Sequence, residues 1–96
     1  MECKIGDGTG GTESNTGKLV KTYQECITLV IKDYPDANGA TIQTSCTDSC
    51  KCFAEFGMTG WLTNDYSVDN YRSCSFYLGK NVLFFNILNL SKESIL

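Results

Sequence analysis

Six cysteines stand at positions 3, 26, 46, 50, 52 and 74 of a 96-residue chain that contains no histidine. Their even number in so short a chain points to a disulfide framework. Zinc is the rival chemistry. Without histidine a site would need thiolates and carboxylates, and Cys46-x3-Cys50-x-Cys52 does not match the paired C-x2-C knuckles of structural zinc. The lack of histidine also removes the usual general base and the Ser-His and Cys-His nucleophile pairs. Carboxylates are left. Glu55 facing Asp65 or Asp69 across a cleft would resemble a glycosidase pair. The plainer expectation puts Glu55 on a solvated face or pairs it with Arg72. No enzyme activity, metal or cofactor is expected.

For recognition, residues 58–72 hold Trp61, Tyr66 and Tyr71 among Asn64, Asp65, Asp69 and Asn70, with Arg72 beside them. Aromatic rings flanked by amides and carboxylates suit stacking on sugars with hydrogen bonds to their hydroxyls, or a protein hot spot. Trp61 serves equally well as core, and the surface then loses its anchor. If the three rings cluster on an exposed face, recognition of a glycan or an extracellular protein is favoured. Buried or scattered rings favour a structural spacer or assembly unit with no ligand of its own.

Composition narrows the partners. The net charge is −3 and the pI about 4.7, with no basic run. That excludes the positive footprint of a nucleic-acid binder and disfavours anionic membrane surfaces. No segment is long and apolar enough to span a bilayer. The opening Met-Glu-Cys-Lys-Ile-Gly lacks the apolar stretch of a signal peptide. A secreted protein then implies a fragment of a longer chain, or a removed leader. Asp7 and Glu13 offer carboxylates for a weak calcium site, but the glycine-rich stretch that holds them, 6–17, lacks both the ligand order of an EF-hand and the Lys-Ser/Thr of a P-loop. It reads as a flexible surface loop.

The elements that must position these residues follow from periodicity. Residues 50–57 alternate, with Cys50, Cys52, Ala54 and Phe56 on one face and Lys51, Phe53 and Glu55 on the other, and stop at Gly57; this predicts a central strand. Thr22-Tyr23-Gln24-Glu25 is a capping box. The helix it opens runs over 23–33, presents Cys26, Ile27, Leu29, Val30 and Tyr34 on one stripe, and stops before Pro35. Residues 2–5, 40–43 and 72–78 read as further strands, with 18–21 a brief strand or a lead-in to the helix. Residues 36–39 form a turn, and 44–49 and 57–65 form loops. The tail, 79–96, is apolar without clear period and is expected to lie outside the module of residues 1–78. Its sequon at Asn89 therefore carries little weight.

The stretches Tyr23-Gln24-Glu25-Cys26-Ile27, Tyr34-Pro35-Asp36-Ala37-Asn38-Gly39-Ala40-Thr41-Ile42, Cys52-Phe53-Ala54-Glu55-Phe56-Gly57-Met58-Thr59-Gly60-Trp61 and Ser73-Cys74-Ser75-Phe76 resemble a short extracellular cysteine module akin to a trimmed PAN/apple domain. The resemblance spans Cys3 to Phe76. It implies an α+β fold, one helix packed on a small antiparallel sheet, with a Cys3–Cys74 bridge between terminal strands and a Cys26–Cys52 bridge from helix to central strand. The chain departs from that pattern in lacking a second helix cysteine a turn from Cys26. Cys46 and Cys50 are left, and we expect them to close a small local loop. Spacing alone would allow more than a dozen pairings.

Overall fold

Thr22 and Glu25 start the helix as their spacing predicts. In the computed structural model, which describes residues 1–76, Thr22 Oγ1 accepts from the Glu25 amide at 3.1 Å. Glu25 Oε1 reaches back to the amides of Thr22 and Lys21 at 3.0 and 2.6 Å. The described chain runs β1 (Glu2–Ile5), β2 (Gly8–Thr9), β3 (Thr12–Val20), α1 (Tyr23–Asp33), β4 (Gly39–Gln43), β5 (Cys50–Phe56), β6 (Gly60–Trp61), α2 (Asp65–Asn70) and β7 (Tyr71–Ser75). Thr22→Ala removes the cap and should lower stability by about 1 kcal/mol. The readout is the urea midpoint at unchanged m-value.

Five strands form an antiparallel sheet in the order β1-β7-β4-β5-β3, and β2 and β6 pair as a separate two-stranded ribbon. α1 lays Cys26, Ile27 and Val30 against one face. Ala40, Ile42, Cys52, Ala54, Cys74 and Phe76 meet them from the sheet. Three disulfides staple this layer: Cys3–Cys74, Cys26–Cys52 and Cys46–Cys50. These are the pairings that the resemblance and the leftover cysteines implied, and every cysteine is bridged.

Four expectations are corrected. The middle strand is β4, with β5 an interior strand beside it. The stretch 6–17 is not one loop: it contains β2 and two thirds of the nine-residue edge strand β3, which also takes in 18–20. The connection after β5 contains β6. A second helix, α2, follows, where one helix was expected. Asn64 caps it by accepting from the Ser67 amide at 2.9 Å. The predicted strand end at 77–78 and the tail 79–96 lie outside the described residues.

Candidate functional site

Pairing sorts the side chains of each strand between two faces. Cys52 is bonded to Cys26 on α1, so Phe53 and Glu55 stand on the opposite face of β5. On β7, Cys74 belongs to the core beneath α1, which puts Tyr71 and Ser73 on that same opposite face. Phe53 and Tyr71 meet edge to face with ring centroids 6.3 Å apart, and Tyr71 meets Tyr66 of α2 at 6.0 Å. The result is a row of three rings, Phe53–Tyr71–Tyr66. Tyr66 is 66% exposed, and Phe53 and Tyr71 are half-buried. Gln43 lies opposite Tyr71 in the β4–β7 register.

Trp61 borders this row but serves the scaffold. Its indole N–H donates to the Ser73 carbonyl at 3.0 Å, and the Lys4 ammonium lies 4.7 Å from the ring centroid. The half-buried ring thus clasps the β2–β6 ribbon onto β7. Asn64 is occupied by its capping bond, whereas Asp65 in the first turn of α2 is exposed. Arg72 is separated from the others. It stands on the α1 side of β7, 5.7 Å from the centroid of Tyr23, and lines a cavity of about 170 Å³ with Cys3, Lys4, Ile5 and Tyr23. Burial pushes the Tyr23 phenol up to about 12, against the pull of Arg72. Phe53 lies on β5, outside the 58–72 stretch expected to carry recognition. Its signal was there, in the alternation that set it apart from the cysteines.

The second feature of this face is acidic. Glu55 is neither solvated nor paired with Arg72, and it does not face Asp65 or Asp69. It is 3% exposed and converges with Asp7 and Glu13, their carboxylate oxygens within 4.8 Å of one another. The β1–β2 turn supplies Asp7 and the β3–β5 register sets Glu13 directly against Glu55. Thr41 Oγ1 lies 2.6 Å from Glu55 Oε2. Burial pushes the Glu55 carboxyl up to about 9; its hydrogen bond with Glu13 and the charges of Glu13 and Asp7 add to this, and a Thr41 hydroxyl donating to it would oppose. Burial, then Glu13, raises Asp7 to about 6. Asp7 Oδ1 is buried without a hydrogen-bond partner. Metal ligation requires deprotonated carboxylates; with no cation between them, burial and their mutual repulsion oppose deprotonation.

The described residues thus form a small α+β domain with a five-stranded antiparallel sheet, two helices and three disulfides, a density of cross-links typical of extracellular proteins. No helix among the described residues is long and apolar enough to cross a membrane. No family model matches the chain, and no curated protein or solved structure gives a significant match.

Proposed function

We propose that this is an extracellular recognition module of PAN/apple-like kind, without catalytic activity of its own, which binds a glycan through the Phe53–Tyr71–Tyr66 face. The observation that carries this reading is the row of three rings in edge contact, ending in the exposed ring of Tyr66. Pyranose rings present flat C–H surfaces that stack on such aromatics. The side chains of Gln43 and Asp65 beside the row offer donors and acceptors to hydroxyls. The disulfides favour an oxidising, extracellular setting. The net charge of −3 favours neutral sugars over sulfated ones.

The test is a glycan array probed with the wild-type chain and with Tyr66→Ala and Tyr71→Ala. Tyr66 lies outside the core, so its truncation leaves the fold intact, as near-UV circular dichroism should show. Each variant is expected to lose at least about tenfold in affinity, or about 1.4 kcal/mol. Silence of the wild-type array, with a protein partner captured through the same rings, would replace the glycan by a protein ligand. Silence of both would leave the structural-spacer reading, which the scaffold duties of Trp61 and Asn64 already favour for those two residues.

A further inference from the structure

We propose that Glu55 enters the fold as a neutral carboxylic acid whose proton completes a buried relay through Thr41 and Ser73 to the Gly6 carbonyl, and that its ionisation unfastens segment 6–9 and the β2–β6 ribbon. The inference is independent of what the aromatic face binds.

It rests on counting hydrogens. Three oxygen–oxygen contacts stand in a line. Glu55 Oε2 is 2.6 Å from Thr41 Oγ1, Thr41 Oγ1 is 2.7 Å from Ser73 Oγ, and Ser73 Oγ is 2.7 Å from the Gly6 carbonyl oxygen. At such distances each contact needs one hydrogen between its oxygens. The Gly6 carbonyl has none to give, so Ser73 donates to it. Thr41 has a single hydroxyl hydrogen. With Glu55 ionised, that hydrogen goes to Oε2, and the contact between Thr41 and Ser73 is left with none. If Thr41 turns instead to Ser73, the carboxylate is left facing a bare hydroxyl oxygen. A protonated Oε2 resolves the shortage: Glu55 donates to Thr41, Thr41 to Ser73, and Ser73 to Gly6. Thr41 and Ser73 are both 0% exposed and Glu55 is 3% exposed, so bulk water does not supply the missing hydrogen.

The surroundings point the same way. Asp7 faces Glu55 from the β1–β2 turn and Glu13 from β3. β4 offers only the Thr41 hydroxyl, and β7 the Ser73 hydroxyl and, further along, the Tyr71 phenol. Lys4 on β1 is engaged with Glu2 and the Trp61 ring, and the Lys18–Asp33 pair lies elsewhere. Two neighbouring carboxyls, with no cation paired to Glu55 among the described residues, favour the neutral acid.

The far end of the relay explains the consequence. Gly6 accepts from Ser73 and donates its N–H to the Tyr71 carbonyl at 2.8 Å. Asp7 accepts from the Leu62 amide and Thr9 from the Thr59 amide, both at 2.8 Å. Segment 6–9 therefore holds β6 and Trp61 in place. An ionised Glu55 would break the hydrogen chain at its source and set a third charge beside Asp7 and Glu13.

The experiment is a carbon-13 NMR titration of the full 96-residue chain, following the Glu55 carboxyl carbon and the amides of Gly6, Gly8 and Leu62. The carboxyl carbon is expected at its neutral position through pH 7 and to move with a midpoint near 9. The three amides should shift at the same midpoint, and exchange at Leu62 should rise at least about tenfold relative to Ala54 as the ribbon opens. Glu55→Gln places an amide N–H where the acid proton stood, so its ribbon should stay closed across the range. Three results would each overturn the proposal: a Glu55 carboxyl ionised by pH 6, an ionisation that leaves the amides unmoved, or displacement of the proton at pH 7 by millimolar calcium.

Discussion

Replacing Cys3 and Cys74 together by alanine is expected to lower stability by about 4 kcal/mol, and replacing Cys26 and Cys52 together by about as much. Replacing Cys46 and Cys50 should cost only about 2 kcal/mol. The ranking follows from the lengths of chain that each bridge closes. The sequence separations are 71, 26 and 4. In the chain-entropy model the constraint on the unfolded ensemble grows with the logarithm of that length, which gives about 4.4, 3.5 and 1.9 kcal/mol. Packing then adjusts the order. Cys26 and Cys52 are both fully buried beneath α1, whereas Cys3 is exposed at the sheet edge. Alanine at 26 and 52 leaves a small void in the core, which adds to the entropic loss and brings the two long-range bridges level. Either loss is a large share of the 5–15 kcal/mol typical of a domain. Urea unfolding of the three double variants checks the ranking. A local-bridge variant as unstable as the other two would show that strain or native contacts, rather than loop closure, set the contributions.

What the sequence could reveal depended on how local the cause was. The capping box and the apolar stripe of α1 lie within one dozen residues, and both ends of that helix are visible in the chain. β5 and β7 announce themselves by alternation. β3 does not: Thr12-Glu13-Ser14-Asn15-Thr16-Gly17 is polar and contains glycine because this is an edge strand with mostly exposed side chains. Composition therefore imitates a loop there. The β2–β6 ribbon is hidden for another reason. Gly8 pairs with Trp61 and Thr9 with Gly60, contacts over more than fifty positions that leave no periodic trace in two-residue strands.

That ribbon also accounts for the errors at the site. Alternation correctly set Glu55 on the face away from the cysteines, and an antiparallel sheet commonly leaves that face wet. Here segment 6–9 and β6 cover the Glu55 end of it, while the Phe53 end stays half open. Arg72 fails by proximity. It is the chain neighbour of Tyr71, but successive residues of a strand point to opposite faces, and its parity with Cys74 already assigned it to the α1 side.

The stability of the folded chain is expected to fall as pH rises from about 5 to 9, the reverse of ordinary acid denaturation. Glu55 and Asp7 both carry carboxyls raised in the fold, to about 9 and about 6. For a raised carboxyl the folded state binds the proton that the unfolded state has released. Between the unfolded and folded values, unfolding therefore frees a proton, and stability drops with increasing pH. Below the ordinary carboxylate range both states are protonated and this loss is absent; above 9 it is complete. Asp7 contributes from about 4 to 6 and Glu55 from about 4.5 to 9. The slope approaches 1.4 kcal/mol per pH unit, roughly, where Glu55 alone differs. Near neutrality the loss from Glu55 alone is on the order of 3–4 kcal/mol, comparable with one long-range disulfide. The bridges thus offset a buried acid that the α+β scaffold alone would tolerate poorly. Glu55→Gln removes the titrating group while keeping a donor toward Thr41. It should flatten the profile and raise the melting temperature at pH 8 by on the order of 10 °C. Thermal melts of both chains at half-unit pH steps decide the matter. A wild-type stability that climbs from pH 5 to 8, with the variant less stable throughout, would mean that Glu55 is held as a carboxylate and that its partners stabilise the charge.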